Sequence, residues 1–160
     1  MPAPQFGEPP AGYTPADRPA AFCVIERDGL VALVEVAWEG RGLLLHLPGG
    51  GLDEGEDEAA AAVRECGEEA GLAVTLEPAP FLRADHYFLH HDGVVRNTRG
   101  AFFAGRVAAE DPALKTEADH RLVWMAPHEA VVRLEREAHA WAVAAWLRLR
   151  ARAPGSSSAP

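Results

Sequence analysis

Short apolar runs separated by turn signals dominate the chain, and two stretches switch to helical spacing. Ala21–Glu26 and Leu30–Trp38 flank Arg27-Asp28-Gly29, a pattern that predicts a hairpin. Leu43–Leu47 is a short apolar run that leads into the glycine-rich loop Pro48–Gly55. Glu56–Ala70 reads as a helix stopped by Gly71 in the C′ position. Ala73–Leu76, Phe81–His90 and Arg99–Val107 read as strands, and Asp92-Gly93 marks a turn between the last two. A polar loop, Ala108–His120, precedes the strand Arg121–Met125. Pro127 suits the first position of a helix, and helical spacing runs with a break to about Arg150. In that stretch Ala138, Trp141, Ala142, Ala145, Trp146 and Leu149 fall on one face, which predicts core packing. Strands outnumber helices, so the expected class is α+β, a mixed β-sheet covered by α-helices.

A length of 160 residues allows one domain with a real core. Residues 1–18 carry Pro2, Pro4, Pro9, Pro10 and Pro15 and read as a flexible N-terminal arm. Residues 19–150 form the expected domain, and 151–160, rich in Pro, Gly, Ser and Ala, a disordered tail. No apolar run reaches the ~18 residues of a membrane span, and the start lacks the order of a signal peptide. A cytoplasmic location with no membrane partner is the expectation, and Cys23 and Cys66 then read as two buried thiols. The formal charge of −9 disfavours duplex nucleic acid as a partner. A small polyphosphate could still bind if metal ions stood between it and the carboxylates.

The helix Glu56–Ala70 has two unlike faces. Ala59, Val63, Cys66 and Ala70 form a narrow apolar stripe suited to packing on a sheet. Glu65, Glu68 and Glu69 lie together on the other side, and each i,i+3 or i,i+4 pair of like charges costs about 0.2–0.5 kcal/mol. Glu68 and Glu69 also stand near the helix C-terminus, where the dipole disfavours negative charge. Hard divalent cations remove this conflict, since Mg²⁺ or Mn²⁺ takes oxygen ligands and can bridge carboxylates to phosphates. A solvated acidic face is the plain alternative for three glutamates taken alone.

The full spacing decides between the two. Gly50, Glu56, Arg64-Glu65-Cys66, Glu68-Glu69 and Gly71-Leu72 stand at the intervals of G-x5-E-x7-R-E-U-x-E-E-x-G-U, with U apolar. This resembles the signature box of the Nudix hydrolases, and Leu47-Pro48-Gly49 looks like its usual lead-in. Leu45 departs from the aromatic that many members carry there. The resemblance implies a Nudix-like mixed sheet between helices and hydrolysis of a diphosphate bond in a nucleoside diphosphate linked to another group. It implies Mg²⁺ or Mn²⁺ held by Glu65, Glu68, Glu69 and the Gly49 carbonyl, with Glu65 or Glu68 close to the attacking water. Glu56 and Arg64 would hold loop against helix. A carboxylate from a later loop would add a ligand or the general base: Glu117 first, then Asp119, with Glu110 and Asp111 as further candidates.

Other residues are less constrained. His86, His90, His91 and His120 show no zinc spacing and are assigned no metal role; His90 and His91 would point to opposite faces of a strand. His120 is expected near the rim of the site. Tyr87 and Phe103 are the aromatics expected to contact substrate, and Arg83, Arg96, Arg99 and Arg106 are candidate anion clamps. The alternative function is a Nudix-like domain that senses a nucleotide without turning it over; a pure protein-interaction face is a third reading. A homodimer is allowed by Trp141 and Trp146.

Overall fold

Asp28 and Gly29 both take positive φ, 52° and 79°, and close a two-residue turn between β2 (Ala16–Arg27) and β3 (Leu30–Trp38). In this computed structural model, which describes residues 2–153, the hairpin pairs only at Glu26 with Val31 and Arg27 with Leu30. Beyond that point the sheet forks. One branch sets β3 between β4 (Gly42–His46) and β9 (His120–Met125). The other gives the same edge of β2 to β5 (Gly49–Gly51), with Phe22 opposite Gly49. Only glycine fits that pairing: a Cβ on Gly49, at φ 144°, would stand 2.3 Å from the Ala21 carbonyl oxygen.

The other edge of β2 runs parallel to β8 (Val95–Glu110) from Ala16 to Glu26, and β8 pairs with β6 (Leu72–Leu76) and β7 (Leu82–Leu89). Mixed pairing and the order β1 (Gln5–Phe6), β7, β8, β2, β3, β4 make the sheet that the α+β expectation describes.

Alternation along β2 builds two cores. Phe22 and Val24 face Leu33, Leu47, Phe102 and the helices α2 (Pro127–Arg133) and α3 (Glu137–Arg152). Ala21, Cys23 and Ile25 face Phe103 and α1 (Glu58–Ala70). Both cysteines are free and buried. α1 starts two residues later than the spacing predicts because the Asp57 side chain accepts from Ala60 N at 2.8 Å, an N-cap worth about 1 kcal/mol. Gly71, at φ 66°, ends the helix as expected.

Several expectations are corrected. Proline does not keep the first residues out of the sheet: β1 (Gln5–Phe6) pairs in parallel with Asp85 and His86, and β2 begins at Ala16. A two-residue strand at an edge needs few donors, and Asp85 N finds its acceptor on Pro4. β8 is longer than Arg99–Val107 at both ends: ladders with β2 and β7 carry it back to Val95, and pairing with β6 carries it on to Glu110. On α1, Val63 is 40% exposed, and the buried face runs through Ala62, Cys66 and Glu69. On α3, Trp141 and Leu149 are about half exposed, and His139 and Val143 take the core positions. Ala151 and Arg152 complete α3; of the expected disordered tail, residues 154–160 lie outside the described residues.

Candidate active site

Arg64 organises the loop before α1. Its Nε and Nη2 donate to the two carboxylate oxygens of Glu56 at 2.8 and 2.9 Å, and Nη2 also reaches the Gly51 carbonyl at 3.2 Å. Glu56 accepts from Asp53 N as well, at 2.9 Å. The Arg64 guanidinium and this amide hold the Glu56 carboxyl down at about 2. Glu56 lies outside the helix and turns back to it, so the fork-shaped guanidinium spans loop and helix in one contact. Nη1 lies 3.2 Å from Glu65 and 3.0 Å from Glu68.

Glu69 sits at the other end of α1 and is 3% exposed. Its Oε1 accepts from Gly49 N at 2.9 Å. Its Oε2 is buried with no hydrogen-bond partner among the described residues. Burial pushes its carboxyl well above the usual range, and does the same more mildly for Glu65. Glu65 leans on the loop so closely that a Cβ on Gly50 would be 2.6 Å from its Oε1.

The fork in the sheet opens a cleft of about 730 Å³, a size suited to a small-molecule ligand. Gly49, Gly50, Glu65 and Glu69 line one wall, and Trp38, His46 and Phe88 another. Glu117 and Asp119 close it from the loop before β9, and His120 from the first position of that strand. That loop is tied to α1: Thr116 N and Glu117 N both donate to the Glu68 carbonyl at 3.0 Å. Lys115 Nζ reaches the carbonyls of Glu117 and His120 and fixes its far side. Arg18 and Arg136 bring positive charge to the cleft. Burial and the nearby Arg18 lower the Arg136 guanidinium to about 10, and its Cζ lies over the Phe88 ring, 4.0 Å from the ring centre.

A domain model described as the NUDIX domain matches residues 16–147 of the sequence. The chain belongs to the Nudix family. Solved structures agree in fold. A Nudix hydrolase from Nitrosomonas europaea superposes with a TM-score of 0.66 at 23% identity, over 84% of this chain and 90% of that one. The E. coli ORF135 protein gives 0.60 at 25% identity, over 88% and 96%. An Ap4A hydrolase from C. elegans gives 0.62 at 18% identity, over 84% and 98%. No curated protein matches the sequence.

Within this Nudix fold the residues singled out from sequence separate into two groups. Gly49, Glu65, Glu69, Glu117, Asp119 and His120 meet at the cleft. Glu68 stands beside them on α1 but turns toward Arg64 and is not part of the lining. Glu110 pairs with Arg27 at 2.6 Å, and Asp111 caps the 3-10 turn Pro112–Leu114, so neither faces the cleft. Phe103 is in the core against α1, and Tyr87 lies outside the lining. One pleat position away, Phe88 does line it, joined edge-on by Trp38 at 5.6 Å. Arg83, Arg96 and Arg99 are paired with Glu58, Asp92 and Asp85. The cleft uses Arg18 and Arg136 instead, which no spacing rule flags. His90 and His91 both border the cleft, because β7 ends at Leu89 and strand alternation stops there. His46 was missed as well; it carries no local motif.

The carboxylates fit a hard divalent cation. Glu65 and Glu69 are gathered out of water, Glu69 Oε2 lacks a donor among the described residues, and the nearest guanidinium, Arg64, is divided among Glu56, Glu65 and Glu68. An all-oxygen donor set of this kind suits magnesium or manganese.

Proposed function

We propose that this Nudix protein is a divalent-metal-dependent pyrophosphohydrolase acting on a nucleoside diphosphate linked to a further group. The observation that carries the reading is the convergence of Glu65, Glu69, and Gly49 and Gly50 of β5 with Glu117 on a single cleft. Glu65, Glu69 and the Gly49 carbonyl would hold Mg²⁺ or Mn²⁺, and Glu68 would join them by exchanging its contact with Arg64 for the cation. Bound there, the cation lowers the pKa of a water and offsets charge on the diphosphate.

The chain's own groups supply the rest. Glu65 orients the attacking water and is kept in place by Gly50 behind it. Glu117 takes the proton as general base, held near α1 by its backbone link to the Glu68 carbonyl. Arg18, beside Gly51 and near Glu65, and Arg136, near Glu69, meet the substrate's negative charge within the cleft. Trp38 and Phe88, in place of Tyr87 and Phe103, offer aromatic surface to a base. Glu56 and Arg64 keep loop and helix in register and touch no substrate.

Release of phosphate or pyrophosphate from a nucleotide panel, with Mg²⁺, Mn²⁺ or chelator, tests the reading. Nucleoside triphosphates and dinucleoside polyphosphates head the panel, since an Ap4A hydrolase and a MutT Nudix hydrolase from Burkholderia pseudomallei share the fold. Oxidised guanine nucleotides, ADP-ribose and nucleotide sugars complete it. Cleavage that stops with chelator is the expected result. Nucleotide binding with no cleavage of any compound would replace the enzyme with a nucleotide sensor.

A further inference from the structure

His46 and His120 approach from opposite sides of β3. His46 pairs with Val34 and His120 with Val36. Residues two apart on a strand share a face, so both rings stand on the same face of the sheet. Glu69 enters between them from α1, with Oε2 at 3.6 Å from His46 Nε2 and 3.5 Å from His120 Nε2. Those separations are too long for hydrogen bonds, and Oε2 has no other partner.

The second nitrogen of each ring is already committed. His46 Nδ1 lies 2.8 Å from the Leu47 carbonyl oxygen, which accepts only, so Nδ1 carries the hydrogen. His120 Nδ1 lies 2.8 Å from the Asp119 carboxylate, which assigns the hydrogen in the same way. In the neutral rings each Nε2 then aims a lone pair at a carboxylate oxygen that also carries lone pairs. A cation among the three atoms relieves this conflict. They lie within 4.8 Å of one another. Ligand atoms ~2.1 Å from a four-coordinate ion stand roughly 3.4 Å apart, close to the 3.5 and 3.6 Å that separate Glu69 from the two rings.

We propose that His46, Glu69 and His120 form a site for one transition cation of the zinc or cobalt class. It shares Glu69 with the all-oxygen set but differs from it in ligand type. Two imidazoles favour such ions over magnesium. The Leu47 carbonyl and Asp119 are the outer partners that orient ligating histidines, and Leu47 is itself held by its amide on His139 Nδ1 at 3.0 Å. Three protein ligands leave a fourth position, and all three residues line the cleft, so that position is reached from the cleft.

The test is titration of the full chain, stripped by chelator, with Co²⁺ in excess Mg²⁺, followed by visible d–d absorption. One equivalent of cobalt should give the bands of a low-coordinate ion, and zinc should displace it. His120→Ala should weaken binding by more than the about 10–100-fold that loss of an outer partner costs, and Asp119→Asn by an amount within that range. Melting curves establish that both variants fold. Absence of cobalt uptake, or uptake unchanged in both His120→Ala and His46→Gln, overturns the site. So does uptake lost in Glu68→Gln but kept in the histidine variants. Magnesium-dependent hydrolysis is scored separately: turnover without cobalt bands removes this site and leaves the hydrolase reading, and bands without turnover do the reverse.

Discussion

The Gly49 amide and the Glu69 carboxylate meet at 2.9 Å, joining the start of the glycine loop to the last turn of α1 across twenty residues of sequence. The contact uses one carboxylate oxygen as an acceptor and leaves the other buried and unpartnered. Glutamine can keep the first contact and, by turning its amide, donate from the second position. Glu69→Gln should therefore melt at or above the wild-type temperature, since it removes a buried charge. Turnover should fall about 100-fold or more, because the charge that balances a metal is gone. Differential scanning calorimetry beside a phosphate-release assay checks both halves; a fall in stability together with unchanged turnover would sink the assignment.

Adjacent glycines should fail in different ways. A Cβ on Gly49 strikes the backbone of Ala21 and Phe22, and no side-chain motion relieves it. Gly49→Ala should cost about 3 kcal/mol or more in urea unfolding. At Gly50 the Cβ meets only the end of Glu65, 2.6 Å away. Gly50→Ala should stay folded and lose activity, as Glu65 is pushed off its position.

The interior histidines make the protein sensitive to acid. His86 is 4% exposed and neither ring nitrogen has a partner among the described residues. Burial, with Arg136 nearby, lowers its pKa from 6.5 to about 3. Between those values the unfolded chain holds a proton that the folded chain does not, so stability falls as pH drops from 6.5 toward 3. His86→Leu should flatten that limb, gaining on the order of 2–3 kcal/mol relative to wild type at pH 4 and little at pH 8. Parallel denaturant titrations at the two pH values would show it.

Trp38 is the aromatic at the cleft with the more accessible face. Trp38→Ala should raise KM roughly tenfold to a hundredfold for substrates with a base, in line with about 1–3 kcal/mol per stacked base. The kcat should change little. An equal loss on a diphosphate that carries no base would assign the ring to cleft shape instead of base contact.

The box was readable because its contacts are local: Glu56, Arg64 and Glu65 lie within a loop and two turns of one helix. Helical spacing also separated an apolar side from an acidic one. It could not show that Glu69 belongs to the buried side, because that depends on the fork between β3 and β5, where the end of α1 inserts. The aromatics failed by one step of alternation. Tyr87 and Phe88 point to opposite faces, and only the pairing of β7 with β8 determines which face borders the cleft. His46 and His120 come together because β4 and β9 both pair with β3, and no short-range pattern encodes a three-strand register. Arg18 and Arg136 escaped for the same reason, one lying in a segment read as an arm and the other between two helices.

That first segment also protects the sheet. β7 would otherwise end the sheet with an open row of amides and carbonyls, the kind of edge on which a second chain can build. Gln5 and Phe6 cover part of that row, and the Phe6 ring lies 6.2 Å from Trp141, over apolar surface that α3 leaves half exposed. Gln5 adds two side-chain hydrogen bonds at 3.0 Å to Asn97, one strand further in. Removing the first dozen residues would leave the cleft chemistry in place and uncover a sticky edge, so the shortened protein should be prone to self-association before it is impaired in any other way.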